Sequence, residues 1–345
     1  MKFSIVSNDV RVIPDLIEKK VNGKDYISYG EDNKFPQYIW NLYLKSAILQ
    51  GIVNGTSDFV NGNGIESNIP IKTIINKDGE NLEDIIKKLV IDYGIFGGFC
   101  FQVIKDFQGV IKEIYWLDMQ NVRLNKDGDK AYYSDKWGSY GEKAVEIEVW
   151  NPSEYQSNFV VYFKGHITRG LYPIPRFIGA LAAIETSTEI GKFHLNNILN
   201  NLSSSAIINF NNGEPTNEEK KLIEKKLNDK FSGANNAGKF MVVFNNNKDS
   251  AVSVERLSED NFDSKFESLS KSTREEIFIA HRATPALFGM NPENNGFSKA
   301  EFLEAFELYN KCVVKPIQND IVRVFDKLFG MDNSIVFKSF KLEEV

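Results

Sequence analysis

The stretch FCFQVIKDFQGVIKEIYWL, residues 99–117, decides what kind of fold this chain can have. Before it, up to Tyr93, apolar residues recur every three or four positions. From Phe99 they alternate with polar ones, which is the pleat period of a strand and not the turn of a helix. Two such runs are joined across Asp106 to Gly109, a natural place for the chain to reverse. Further strand-like runs follow, AVEIEVW at 144–150 and NFVVYF at 158–163, separated by polar, glycine-containing links. The economical reading is an antiparallel sheet covered by the helices before it, an α+β unit that ends near Pro175.

Upstream, residues 36–60 put Ile39, Leu42, Leu49, Val53 and Val60 on one helical face, with Ser46 as a gap in the stripe. Pro36 suits the first turn of that helix, and NGNG at 61–64 ends it. A second amphipathic segment runs from about Leu82 to Tyr93 and closes with GIFGG. Downstream of LYPIPRF a long helical stretch covers Ile178–Leu202, with Leu181, Ile184, Leu195, Ile198 and Leu202 among its apolar positions. Gly179 and Gly191 lower its intrinsic propensity, so packing against neighbours must hold it.

A small insert follows at 206–257: strand 206–210, helix 217–231 opened by a Thr216/Glu219 capping box, then strands 239–244 and 251–257. At roughly fifty residues it is marginal alone and should dock against something. The helical period resumes with Phe262, Phe266, Leu269, Thr273, Ile277 and Ala280, and stops before Pro285. Ser298 and Glu301 form a second capping box. The helix they open carries the stripe Phe302, Phe306, Tyr309, Val313, Ile317, Ile321, Val324 and Leu328, kinked at Pro316.

The totals narrow the function classes. A chain of 345 residues exceeds what one compact core organises, and 42% hydrophobic with 26% charged residues is an ordinary globular balance. The longest apolar runs, such as IGALAAI at 178–184, fall far short of the roughly 20 residues a membrane span needs, so no membrane partner is expected. The N-terminus lacks a secretory pattern, which suggests a chain that stays inside a cell. Cys100 and Cys312 read as buried thiols in a reducing compartment. With 41 Lys plus Arg against 47 Asp plus Glu, and no segregated basic stripe, nothing resembles a clamp that grips nucleic acid tightly.

No constellation for catalysis emerges. GANNAGKF, Gly233–Phe240, has the glycines and the lysine of a phosphate-binding loop, but Phe240 stands where a magnesium-holding hydroxyl belongs and the order is helix, loop, strand. A nucleotide-dependent DNA-handling ATPase using 233–239 is the rival reading, and an unrelated intracellular scaffold a third. His166, His194 and His281 sit one per element, as surface or interface residues, with no metal-ligand spacing. Ser203–Ser205 lack a nucleophile elbow. No cofactor and no catalytic residue are assigned.

The order of parts resembles the portal proteins of tailed bacteriophages, the ring that forms the head-to-tail connector, over approximately residues 28–330. In YGEDNKFPQYIWNLYLKSAILQGIVNGTSDFVNGNGI the recognisable positions are Tyr29, Gly30, Asn33, Pro36, Ser46, Gly62 and Gly64. DYGIFGGFCFQVIKDFQGVIKEIYWLDMQNVR is similar to that family's wing sheet. NNAGKFMVVF, a helix and IAHRATPALFGM are similar to its clip, stem and tunnel-loop succession, with Pro316 where its last long helix carries one. The chain departs from the family where Pro285 is followed by Ala286 and not by a second proline.

The resemblance implies a portal-like α+β fold: wing at 1–177, stem helices at 178–205 and 258–284, clip at 206–257, tunnel loop at 285–297, and at 298–345 a kinked helix with little or no crown. It implies a dodecameric, non-enzymatic ring at the capsid vertex of the virion, through which double-stranded DNA passes during packaging and ejection. The implied partners are the terminase large subunit, a head-tail adaptor, and the major capsid and scaffold proteins, met in the host cytoplasm during assembly. The tunnel loop would be Asn291, Pro292, Glu293, Asn294, Asn295 and Gly296. Lys220, Lys221, Lys225 and Lys226 would meet partners at the clip. Asp263, Glu267 and Glu275 would line the channel as a repelling wall, or form the solvated face of a core helix.

Overall fold

The computed structural model describes residues 13–69, 74–139, 141–199, 207–210, 216, 218–219, 221–222, 241–244, 262–290 and 299–340. The chain divides into two compact units, residues 1–185 with 274–345, and residues 186–273. Both division points fall inside a helix: α4, Leu181–Leu199, and α5, Phe262–Ala280.

The first unit opens with two helices, α1 (Phe35–Lys45) and α2 (Ala47–Asn61), where the apolar stripe suggested one. Ser46 separates them because it leaves helical geometry at ψ 107°. Its N–H donates to Leu42 O and closes α1, while its Oγ accepts from Leu49 N at 3.2 Å and opens α2. The stripe itself is correct on both sides of the break: Ile39, Leu42, Leu49, Val53 and Val60 are all buried. Helix α3 (Leu82–Phe96) starts with a reciprocal Asn81/Asp84 capping box. It ends at Gly97, whose φ of 77° and whose approach to Ile174 O leave no room for a Cβ, which would lie 2.1 Å from that oxygen.

The six-stranded sheet has the order β3-β2-β7-β6-β5-β4. Its strands are β2 (Phe99–Lys105), β3 (Ile111–Leu117), β4 (Val122–Leu124), β5 (Lys130–Tyr133), β6 (Val145–Val149) and β7 (Asn158–Phe163). The hairpin read at 99–117 is present, with Cys100 opposite Leu117 and Val103 opposite Ile114. Phe99, Cys100, Phe101 and Val103 are buried, and α3 packs on this hairpin from the helical side. The sheet is mixed and not antiparallel throughout, because β6 and β7 run parallel over Glu148↔Phe159 and Val149↔Val160. Parallel neighbours ordinarily need a long crossover. Here only the end of β6 meets the start of β7, so a short loop suffices. Gln156 pins that loop, accepting from Asn151 N and donating to Val149 O. Two further three-residue strands, β1 (Ile65–Ser67) and β10 (Ile335–Phe337), pair antiparallel and tie α2 to the C-terminal region. Strands this short carry no readable period.

The C-terminal helix is also interrupted. Helix α6 (Lys299–Tyr309) passes through a π-helical turn, Asn310–Val314, into α7 (Lys315–Phe329). Pro316 has no N–H and its ring would press on the carbonyl one turn back, and the wider turn relieves both problems just before it. Phe306, Tyr309, Val313, Ile317, Ile321 and Leu328 of the expected stripe are buried. Beyond the wider turn Phe325 is fully buried and stacks on Phe101 of the sheet at 5.2 Å, while Val324 is only half-buried. Cys100 is buried as expected, but Cys312, in the π turn, is exposed.

In the second unit β8 (Ile207–Phe210) pairs parallel with β9 (Met241–Phe244), and the Thr216/Glu219 box is formed at 2.9 Å. Phe193 of α4 stacks face to face on Phe266 of α5 at 4.8 Å. Leu195 and Leu269, read as core positions of these helices, are exposed at 55% and 45%. The strand expected at 251–257 and the Ser298 cap lie outside the described residues. Among the described residues no helix is long and apolar enough to cross a membrane.

One buried cation locks the first unit. Arg123 of β4 is fully buried without a carboxylate partner among the described residues. Its Nε donates to Asn33 Oδ1 at 2.6 Å, Nη2 to Asn33 O at 2.7 Å, and Nη1 to the carbonyls of Gln120 and Val122 at 2.9 and 2.8 Å. Its guanidinium also lies over the rings of Trp137 and Tyr29 at 4.9 and 5.6 Å. Burial lowers its pKa to about 10, which still leaves it charged at neutral pH. Arg123→Lys keeps the charge but replaces a planar fork by a point donor, stranding buried acceptors. It should lower stability by about 3 kcal/mol, read as a reduced urea midpoint at unchanged slope. A variant with the parental midpoint would remove Arg123 from this role.

Candidate functional site

The segment read as the working part, Asn291 to Gly296, lies outside the described residues, but both of its footings are described. On the incoming side α5 ends and Arg282 adopts a left-handed φ of 54°. A short 3-10 turn, Pro285–Phe288, follows and is closed by Gly289 at φ 76°. On the outgoing side α6 begins at Lys299.

Both footings are held on one face of α2 by aromatic rings. Phe288 meets Phe278 at 6.0 Å and Tyr309 at 5.8 Å, both edge-on, and Phe59 of α2 at 6.1 Å. Phe59 also meets Phe306 at 5.4 Å. Edge-to-face contacts of this kind add to simple burial. Gly55 makes the seat possible, since a Cβ there would come within 2.9 Å of Phe288. Thr56, one residue on, donates its hydroxyl to Ile52 O and so accepts from Tyr309 at 2.6 Å. The loop is therefore anchored at both ends to a rigid helix, by residues from α2, α5, the 3-10 turn and α6.

Below the seat is a cavity of about 270 Å³. Its polar lining includes Tyr93, His166, Arg176, His281, Arg282 and Asp320. Asp320, on α7, is nearly enclosed. Its Oδ2 accepts from Tyr93 at 2.9 Å, and its Oδ1 lies 3.0 Å from His166 Nε2 and 3.6 Å from Arg323. His281, expected at a helix surface or interface, is half-buried, with its ring stacked on Phe177 at 5.0 Å. Its Nδ1 lies 2.8 Å from the carbonyl of Ile277, so Nδ1 carries the hydrogen and donates. Nε2 is then the acceptor of a neutral ring, buried with no partner. Burial, with a smaller push from the nearby Arg176, lowers the His281 pKa to about 4. His166 and His194 are exposed.

The other site expectations fall as follows. On α5, Glu267 and Glu275 are exposed, as is Lys271, which lies four residues from each on the same helical face. The acidic stripe is therefore interrupted by a cation. The side chain of Asp263 lies outside the described residues. Lys221 is exposed near the Thr216 cap, while Lys220, Lys225, Lys226 and Gly233–Phe240 lie outside the described residues. Among the described residues there is no group of three side chains able to hold a metal ion. Sequence reasoning missed the cavity because Tyr93, His166, Arg176, His281 and Asp320 are spread over more than two hundred positions.

Comparison with known proteins gives a consistent result. A family model described as "Phage portal protein" matches residues 67–345. An uncharacterized protein of Rickettsia bellii is 22% identical over 334 residues, spanning 91% of this chain and 82% of its own. Among solved structures, the virion of a native gene transfer agent particle gives a TM-score of 0.58 at 14% identity, covering 88% of this chain and 83% of that one. The neck of the native particle computed with C12 symmetry gives 0.57 at 14%, covering 88% and 84%. An HK97 family phage portal protein from Corynebacterium diphtheriae gives 0.50 at 12%, covering 83% and 89%. At these identities the structural likeness is one of fold.

His281 ties stability to pH. Below about pH 6.5 the unfolded chain takes up a proton on this residue that the folded ring refuses until about pH 4, so stability is lost across that window as pH falls, by at most about 3 kcal/mol. His281→Phe keeps a ring against Phe177 and removes the titration. Its urea midpoint should fall less than the parental midpoint between neutral pH and pH 4, and parallel profiles would exclude His281 as the cause.

Proposed function

The chain belongs to the phage portal protein family, and from that premise we propose that it forms a ring at the portal vertex of a capsid. The ring is the channel for DNA packaging and ejection and the platform on which the packaging ATPase and then the tail connector dock. The observation that carries this reading is the family match across residues 67–345. A twelve-membered ring is supported by the fold likeness to a particle neck computed with C12 symmetry.

The single chain supports assembly in a second way. Leu195, Leu269, Ile279 and Leu308 are exposed on its helices, with Ile279 at 74% and Leu308 at 64%. Head-to-tail contacts between identical copies bury such faces, and they close into a ring when the rotation closes. In this reading residues 1–177 are the wing, α4 and α5 the stem, 206–257 the clip, and 290–297 the tunnel loop. The role is structural, with no catalytic residue.

A channel for duplex DNA works best with weak attraction, since each phosphate neutralised by Lys or Arg releases counterions and adds binding that opposes sliding. A net charge of −6 suits such a passage. Asp263, Glu267 and Glu275 face the lumen in this reading, and Lys271 moderates the repulsion. In this reading the loop lies at the narrowest point, as the family's tunnel loop does, and because its footings are clamped to α2, force on the loop is passed to the wing and not absorbed by hinge motion. At the clip, Lys220, Lys221, Lys225 and Lys226 meet the terminase large subunit and the head-tail adaptor, while the wing meets capsid and scaffold proteins.

Two results test this reading. Deleting 292–296, or Glu293→Lys, should leave ring mass and thermal stability unchanged while DNA packaging in a reconstituted system drops. Rings that package at the parental level would reduce the loop to a connector. Charge reversal at Lys221 should weaken co-sedimentation with the packaging ATPase at a stability cost of no more than about 1 kcal/mol, because exposed charges contribute little to folding. Loss of the ring itself would contradict the docking role.

A further inference from the structure

We propose that the cavity beneath the loop seat is a binding site for a phosphate that still carries a hydrogen at neutral pH, namely inorganic phosphate. The inference does not depend on the ring, because every lining residue belongs to the first unit of a single chain.

Several polar groups of the cavity are already committed to partners within the protein. Tyr93 donates to Asp320, and Tyr309 donates to Thr56. Asp320 is the one carboxylate among the described lining residues, and both its oxygens are engaged, by Tyr93 on one side and by His166 and Arg323 on the other. Apart from the second nitrogen of the exposed His166, what remains uncommitted among the described side chains is two guanidinium groups, those of the half-buried Arg176 and the exposed Arg282, and one buried imidazole nitrogen. Neither guanidinium is paired with a carboxylate among the described residues. His281 Nε2 is buried without a partner, and its tautomer is set by the Nδ1 hydrogen bond to Ile277 O.

These leftovers specify a guest. Two cations with up to ten N–H donors call for a compact anion rich in acceptor oxygens, and planar guanidinium forks match tetrahedral oxyanions well. The lone pair on Nε2 calls for the opposite, a donor. Buried polar groups left unpaired are costly, so a guest that satisfies the arginines but offers no hydrogen to His281 is penalised. Hydrogen phosphate carries both kinds of group on one centre, whereas a monoester, with a second pKa of about 6, has mostly lost its hydrogen at neutral pH. Sulfate and a phosphodiester carry the acceptors without the hydrogen at neutral pH. A DNA backbone phosphate is therefore a poor guest, which separates this site from the passage of DNA. At about 30 Å³ per water, a volume of about 270 Å³ holds a tetrahedral anion with a few waters. The backbone at Arg282 is held at a positive φ, which for a non-glycine residue costs free energy and points to a position maintained by its surroundings.

The test is calorimetric titration of the full-length protein at neutral pH, in a buffer free of phosphate, with inorganic phosphate, methyl phosphate, dimethyl phosphate and sulfate as separate probes. Inorganic phosphate should bind one per chain, and sulfate, dimethyl phosphate and the mostly dianionic methyl phosphate at least about tenfold more weakly. Arg176→Gln and Arg282→Gln should each weaken binding about tenfold, and His281→Phe should abolish the preference for phosphate over sulfate. If a variant fails to fold, the selectivity of the parental protein decides alone. Equal affinity for sulfate and phosphate overturns the proposal, as does the absence of heat and of phosphorus-31 line broadening with inorganic phosphate at millimolar concentration.

Discussion

The first unit depends on a positive charge taken out of water and satisfied almost entirely by neutral oxygens. A buried arginine without a carboxylate is tolerable only if each arm of the fork finds an acceptor, and Arg123 finds them in Asn33, Gln120 and Val122. This requirement fixes the neighbours in turn. Asn33 must sit at φ 63° to present both its carbonyl and its Oδ1, and that same Oδ1 also accepts from Tyr29 N. Tyr29 stacks on Tyr172 at 4.2 Å and donates to Pro173 O, bringing the segment leading into α4 to the same place. One guanidinium thus holds the segment before α1, the start of β4 and the chain leaving the sheet in a single register.

Helix α2 plays the corresponding role for the helical side. It carries Gly55, Thr56 and Phe59 toward the 3-10 turn and α6, and Val60 O accepts from Gln318 of α7 at 2.7 Å. The helices on either side of the 291–298 segment are therefore referenced to one rigid element, although they are distant in sequence. Rigidity at the footings and the freedom of the π turn before Pro316 belong together. The wider turn absorbs the misfit of the proline locally, so α6 and α7 can each keep their own apolar faces against the core. The cavity lies at this junction, bordered by α2, α3, α5 and α7, where helix ends and a glycine at position 97 leave room.

Much of this was legible in the residues. The alternation at 99–117 and the burial of Ile39, Leu49, Val53, Ile277, Ile317 and Ile321 follow from periodicity, and the Thr216/Glu219 box from capping chemistry. The family followed from the order of such parts, even though residues 28–66, where part of the resemblance was drawn, precede the span matched by the family model. What periodicity misjudged is equally specific. It ran α1 and α2 together, because a serine in an apolar stripe looks like a gap when it is a cap. It made the whole sheet antiparallel, because pairing direction is set by where a loop returns. It left His281 at a surface or interface and did not foresee its buried Nε2, because a single histidine carries no pattern.

The sequence by itself determined the α+β class, most of the helix faces, the central hairpin and the family, since these rest on local periods and on side chains that act within a few residues of one another. Only the tertiary structure decided that Arg123 is a buried hub, that β6 and β7 run parallel, and that His166, Arg176, His281 and Asp320 share one cavity. The physical reason is that hydrogen-bond satisfaction and burial are properties of neighbours in space, and here hydrogen-bonded neighbours such as His166 and Asp320 lie 154 residues apart along the chain.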